Sequence, residues 1–264
     1  DGGSDSIDVR PVILAVEKPE LYMHPQMERK IRDLLYRLAS RPNFQVICTT
    51  HSPVFLNMGR SHSAIVRVVK GADGRASFFQ VTSDLFTGDD AQSERDQLRL
   101  ITSFHPTVNE VFFARRVVLL EEQSALGAFQ RCAELTGLFE RHPDIRRDAT
   151  LIDCVEKQNI PLFQTVLNHF QIQYTVVHDQ DAGNPAEQAP NSKIETLLSA
   201  GVMKNSRHMI SPNDLEHMLG YEAKKHKPYE ALMAVERLCQ DDGLPVEFSC
   251  AMNWVYFGQE TEPA

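Results

Sequence analysis

Arg116-Val117-Val118-Leu119-Leu120-Glu121 and Tyr174-Thr175-Val176-Val177-His178-Asp179-Gln180-Asp181 are the two stretches on which the fold turns. Each is a short apolar run that stops at carboxylates. Four or five apolar residues without alternation indicate a strand covered on both faces. Ala149 to Asp153 reads as another strand between them. Helical spacing fills the gaps, at Ser124 to Leu138 and at Pro161 to Phe170. Strand, helix, strand in succession predicts a parallel α/β sheet. In such sheets, active sites gather where the strands end. Glu121 ends one strand. Asp179 and Asp181 end another, two residues apart, so both face one ion if that segment is extended. Three hard oxygen donors suit Mg²⁺ or Mn²⁺ rather than zinc. Such ions activate water and steady the leaving oxygen of a phosphodiester.

Downstream, His208 to Ile210 is a candidate fourth strand. Ser211-Pro212-Asn213-Asp214-Leu215-Glu216 reads as a helix start with a Ser or Asn cap and acids in its first turn. Pro228 opens a helix through about Cys239. Upstream, Val12 to Val16 is a buried strand that stops at Glu17-Lys18-Pro19-Glu20. Pro25 starts a helix through about Ser40, with Ile31, Leu34, Leu35 and Leu38 on one face. Phe44 to Cys48 is a second strand, followed by Thr49-Thr50-His51-Ser52-Pro53. Ala64 to Val69 and Ala76 to Val81 are paired around the turn Gly71-Ala72-Asp73-Gly74. Residues 88–112 read as a polar helical connector.

The composition is that of a globular chain, 42% hydrophobic and 24% charged over 264 residues. No run of about 18 apolar residues is present, so no membrane span is expected. Asp1-Gly2-Gly3-Ser4-Asp5-Ser6 is a polar lead-in without a secretory pattern. The five cysteines are scattered and form no CxxC pair, which suits free thiols in a reducing, cytoplasmic setting. A net charge of −9 argues against a globally basic nucleic-acid binder. Arg115-Arg116 and Arg146-Arg147 are the local basic pairs, and no aromatic-interleaved stripe marks a DNA groove.

Glu17-Lys18-Pro19-Glu20-Leu21-Tyr22-Met23-His24-Pro25 with Thr50-His51-Ser52-Pro53 resembles the Walker B and switch-histidine regions of ABC-type ATPases of the SMC-like and OLD (overcoming lysogenization defect) groups. The resemblance implies that Glu17 and His51 attend the Mg²⁺ and γ-phosphate of ATP. No GxxxxGK[ST] loop is present in these residues. Lys18 stands where the family places a glutamate base, which implies that ATP hydrolysis is weak or absent. Strand-Glu, then strand-Asp-x-Asp, resembles the Toprim fold of topoisomerases, primases and OLD nucleases. The lead-in from Phe104 to Arg115 and the turn Cys154-Val155-Glu156-Lys157-Gln158-Asn159-Ile160-Pro161 resemble OLD segments, although Glu156 replaces a glycine. The ATPase-then-Toprim order points to the OLD family over residues 10–240.

That resemblance implies an α/β chain: a parallel-sheet Toprim domain preceded by the C-terminal part of a P-loop ABC-type ATPase domain. The expected division is 1–90, a connector at 91–115, and 116–258. It implies metal-site acids Glu121, Asp179, Asp181 and Glu216. A lysine would neutralise transition-state charge; Lys227 is favoured, with Lys224 and Lys225 as rivals, and Ser211 touches the same site. It also implies a DNA substrate, a homodimer through the ATPase domain and a defence-system partner protein. The family strand ends Glu-Gly-x-[Ser/Thr]-Glu, whereas this one reads Glu121-Glu122-Gln123-Ser124-Ala125. The glycine has become Glu122 and the second acid Ala125. Two readings follow. One is a metal-dependent DNA endonuclease acting in anti-phage defence or DNA processing. The other is a degenerate relative serving as sensor or scaffold.

Overall fold

The computed structural model describes residues 10–56, 58, 62–71, 73–104, 106–181, 185–210, 214–222 and 226–260. Ser211, Asn213, Lys224 and Lys225 lie outside the described residues, as does Ala72 of the hairpin turn.

Strands β1 (Val12–Glu17) and β2 (Phe44–Thr49) pair in parallel, with Glu17 opposite Thr49. Helix α1 (Pro25–Ala39) joins them, with proline at its N-terminus. Strands β3 (Val66–Lys70) and β4 (Ala76–Gln80) form an antiparallel hairpin. Helix α2 (Ala91–Phe104) and a 3-10 stretch, Pro106–Phe112, follow. This connector is less polar in its role than its sequence suggests, because Leu98, Ile101, Val108, Val111 and Phe112 are buried.

The larger unit is a four-stranded parallel sheet of β5 (Arg116–Leu120), β6 (Ala149–Asp153), β7 (Gln173–Asp179) and β8 (Ser206–Ile210). Their spatial order is β6-β5-β7-β8. Strand β7 runs two residues beyond the apolar run and takes in His178 and Asp179. The sheet carries α3 (Gln123–Leu135), α4 (Ile160–His169), α5 (Gln188–Ala200), α6 (Leu215–Leu219), α7 (Lys227–Arg237) and α8 (Val246–Phe257). Helices α5 and α8 were not read from sequence; α8 is apolar nearly all round, so no amphipathic period marks it.

Alternation along the strands divides the core into two layers. Val117, Leu119, Ile152, Tyr174 and Val176 pack with α4, α5, the connector and residues around the β3–β4 hairpin. Val118, Leu120, Val177 and Ile210 pack with α3, α6, α7 and α8. Arg67 of β3 reinforces the first layer by donating to the carbonyls of Phe112, Phe170 and Gln171.

Arg116 serves the second layer. Its guanidinium donates to the carbonyls of Val255 (2.9 Å) and Tyr256 at the end of α8, and to Thr175 Oγ1. A cation on the last carbonyls of a helix satisfies groups that have no partner within the helix, and meets the negative end of its dipole. Burial pushes the Arg116 guanidinium down to about 10, so it stays charged at neutral pH.

Candidate metal centre

The carboxyl ends of β5 and β7 lie side by side and bring Glu121, Glu122 and Asp179 together. Glu121 Oε2 accepts the Asp179 amide at 3.0 Å. Glu122 is the extended N-cap residue of α3, and Ser124 Oγ donates to its carboxylate. Helix α6 is capped by Asp214, whose side chain accepts the His217 amide at 2.7 Å, rather than by the expected Ser or Asn. That cap presents Glu216 in the first turn. Lys227, the first residue of α7, then reaches Glu122 Oε1 at 2.7 Å and Glu216 Oε1 at 2.6 Å.

One oxygen from each of Glu122, Asp179 and Glu216 lies within 4.8 Å of the others. Asp179 is 8% exposed, and among the described residues no hydrogen bond or ion pair reaches its carboxylate. Among the described residues, Glu216 Oε2 and the Tyr221 hydroxyl are buried without a partner. Three hard carboxylates, with one buried oxygen of Glu216 left without a partner, are a donor set that Mg²⁺ or Mn²⁺ takes.

Asp181 stands apart from this group. The chain turns into the left-handed region there, with φ of 49°, so Asp181 does not continue the pleat of Asp179. Its carboxylate meets the ammonium of Lys157, which also donates to the Asp179 carbonyl at 3.0 Å and lies 3.7 Å from Glu121 Oε2. Lys157 is a buried lysine at the centre of the site, and sequence reasoning gave it no role. The signal was its place in the turn that resembles the OLD pattern. Behind Asp179, the buried His178 places Nδ1 at 2.7 Å from the Asp179 carbonyl and accepts from Arg207 Nε on Nε2. Burial, then Arg207, push its imidazole down to about 3, so it is neutral.

Burial first, then Glu121, Glu122 and Glu216, push the Asp179 carboxyl up to about 8. Burial also pushes Glu121 up to about 7, against Lys157 and the Asp179 amide. Both shifts are upward. Their stabilising effect is complete below the ordinary carboxyl range and is lost as pH rises through the folded values. Metal-free protein should therefore melt at progressively lower temperature from about pH 5 to pH 8. Asp179→Asn should flatten that decline in a thermal melt series; an unchanged slope would contradict the assignment.

At the other end of the chain, Glu17 and His51 flank the carboxyl ends of β1 and β2. Glu20 ties these ends together by accepting from Thr50 Oγ1 at 2.9 Å and from the His51 amide at 2.8 Å. Lys18 sits between them at φ of 45°.

Fold and geometry define a Toprim-type α/β domain following part of a P-loop ATPase domain. Comparison with known proteins agrees. Residues 2–56 match the AAA ATPase domain family, and residues 112–181 match the overcoming lysogenization defect protein-like Toprim family. An OLD nuclease of Thermus scotoductus (strain ATCC 700910 / SA-01) is 30% identical over 232 residues, 81% of this chain. The chain thus carries an OLD-like Toprim domain behind part of an ATPase domain, and is similar to an OLD nuclease along most of its own length. It spans 42% of the length of that relative. Among the described residues, no helix is long and apolar enough to cross a membrane.

Proposed function

We propose that this chain carries the cutting centre of a Mg²⁺- or Mn²⁺-dependent DNA endonuclease, coupled in the longer protein to an ATP-binding domain. One observation carries the reading: the Glu122–Asp179–Glu216 oxygen cluster at the strand ends, with Asp179 a buried residue and Glu216 Oε2 a buried oxygen without a partner among the described residues. The similarity to an OLD nuclease supports the substrate class. A bound divalent ion would lower the pKa of water and polarise the phosphate. The protein's own part is to hold the ligand oxygens, with His178 and Arg207 fixing the Asp179 peptide. Lys227, half-exposed on the rim, is placed to leave its carboxylates and meet phosphate charge.

Nicking of supercoiled plasmid with Mn²⁺ tests this directly. Cleavage should vanish with EDTA and in Asp179→Ala; equal cutting by wild type and variant would overturn it. The reading also places the protein in the cytoplasm and in anti-phage defence or DNA processing, as a homodimer through its ATPase domain with room for a partner protein. A non-cutting sensor or scaffold is favoured by departures in both centres: Lys18 in the ATPase half, and Glu122 and Ala125 in the turn after β5. A charged lysine cannot act as the base for water. ATP turnover by the longer protein should thus stay near background in a phosphate-release assay. Substantial turnover that Glu17→Gln abolishes would contradict this. Calorimetry without Mg²⁺ or Mn²⁺ binding would favour the sensor over the nuclease.

A further inference from the structure

Two lysines enter the carboxylate cluster, and their surroundings differ. The Lys227 side chain is 35% exposed and reaches Glu122 and Glu216 from the rim. The Lys157 side chain is 2% exposed and lies within the floor. The oxygens about its ammonium include the Asp181 carboxylate, the Asp179 carbonyl and, farther off, Glu121 Oε2. Those oxygens are a set that a second divalent ion would need.

The chain around Lys157 fixes it there. Lys157–Asn159 is a single 3-10 turn leading into α4. Asn159 Nδ2 donates to the Cys154 carbonyl at 2.8 Å, and Gln97 of α2 donates to Asn159 Oδ1 at 2.7 Å. The Val155 amide, at φ of 71°, donates to Asp153 Oδ1. Withdrawing the buried ammonium would leave the half-buried Asp181 and Glu121 carboxylates without it, at a cost. Lys227 can swing into solvent on its flexible stem.

We infer that Lys157 is the resident cation of the Glu121–Asp181 side, so the centre takes one divalent ion, held by Glu122, Asp179 and Glu216. This rests on the metal-centre reading above and assigns Glu122 a ligand role. Its carboxylate stands within the same 4.8 Å cluster as Asp179, whose oxygens have no other partner among the described residues. Asp181 then acts through Lys157 as a positioning residue.

The test counts Mn²⁺ bound by the nucleotide-free chain, from the loss of free-ion signal in electron paramagnetic resonance. The wild type should bind one ion per chain. Glu122→Gln should weaken that ion at least tenfold, and Asp181→Asn should change its affinity less than threefold. Lys157→Met should admit a second ion; if it fails to fold by circular dichroism, the Asp181→Asn result decides. Two ions in the wild type, or loss of the ion in Asp181→Asn, would overturn the inference while leaving the metal centre intact. No binding by the wild type would overturn the metal-centre reading itself.

Discussion

Asp179→Asn is expected to remove metal-dependent plasmid cleavage while leaving the metal-free protein as stable as wild type, or more so. The two halves have one cause. Without metal, burial and three neighbouring carboxylates hold Asp179 toward its neutral form. Asparagine supplies a neutral group of nearly the same shape, so the fold loses nothing and sheds a charge repulsion. A metal needs the ionised carboxylate. Loss of groups that only orient a metal ligand costs about 10–100-fold. A direct ligand should cost about 100-fold or more in nicking rate. Melting and nicking measured on the same preparation check both halves. A variant that melts well below wild type would make Asp179 a structural residue and remove its claim to the site.

The second large effect belongs to Arg116, at the opposite end of β5 from Glu121. Arg116→Met should destabilise the Toprim unit by about 3 kcal/mol, because hydrogen bonds from a charged donor contribute about 1.5–3 kcal/mol each. The α8 carbonyls of Val255 and Tyr256 would lose their donor. Gly258 sharpens the case. It ends α8 at φ of 69°, and a Cβ there would meet the Arg116 side chain at 3.6 Å. For a domain of this size, about 3 kcal/mol lowers the melting temperature by roughly 6–12 °C. Nicking at low temperature should persist, since no residue of the carboxylate cluster touches Arg116 among its hydrogen bonds. A melt within 2 °C or so of wild type would show that the carbonyls find other partners.

The strands were legible in sequence because unbroken apolar runs have one economical use in an α/β chain. Glu121 and Asp179 were legible for the same reason, as the first polar groups after those runs. Three other features depended on tertiary geometry. The spacing of Asp179 and Asp181 implied a shared direction only for an extended chain, and the backbone turns at Asp181. Glu122 read as the loss of a glycine; only the entry into α3 shows its carboxylate beside Asp179 and Glu216. Lys157 stood in the sequence only as part of a turn that resembles an OLD segment, because burial of a lysine follows from partners that are remote in sequence. Lys227 was chosen over its neighbours, and it does reach the cluster.

The layer formed by Leu98, Ile101, Val108, Val111 and Phe112 against Val117, Leu119, Tyr174 and Val176 bears on anyone who wishes to dissect the chain. A fragment beginning at Arg116 would keep every acid of the candidate metal site yet leave an oily flank bare, and should come out of the ribosome as inclusion bodies. The workable cut lies upstream of Met58, which is buried in the same layer.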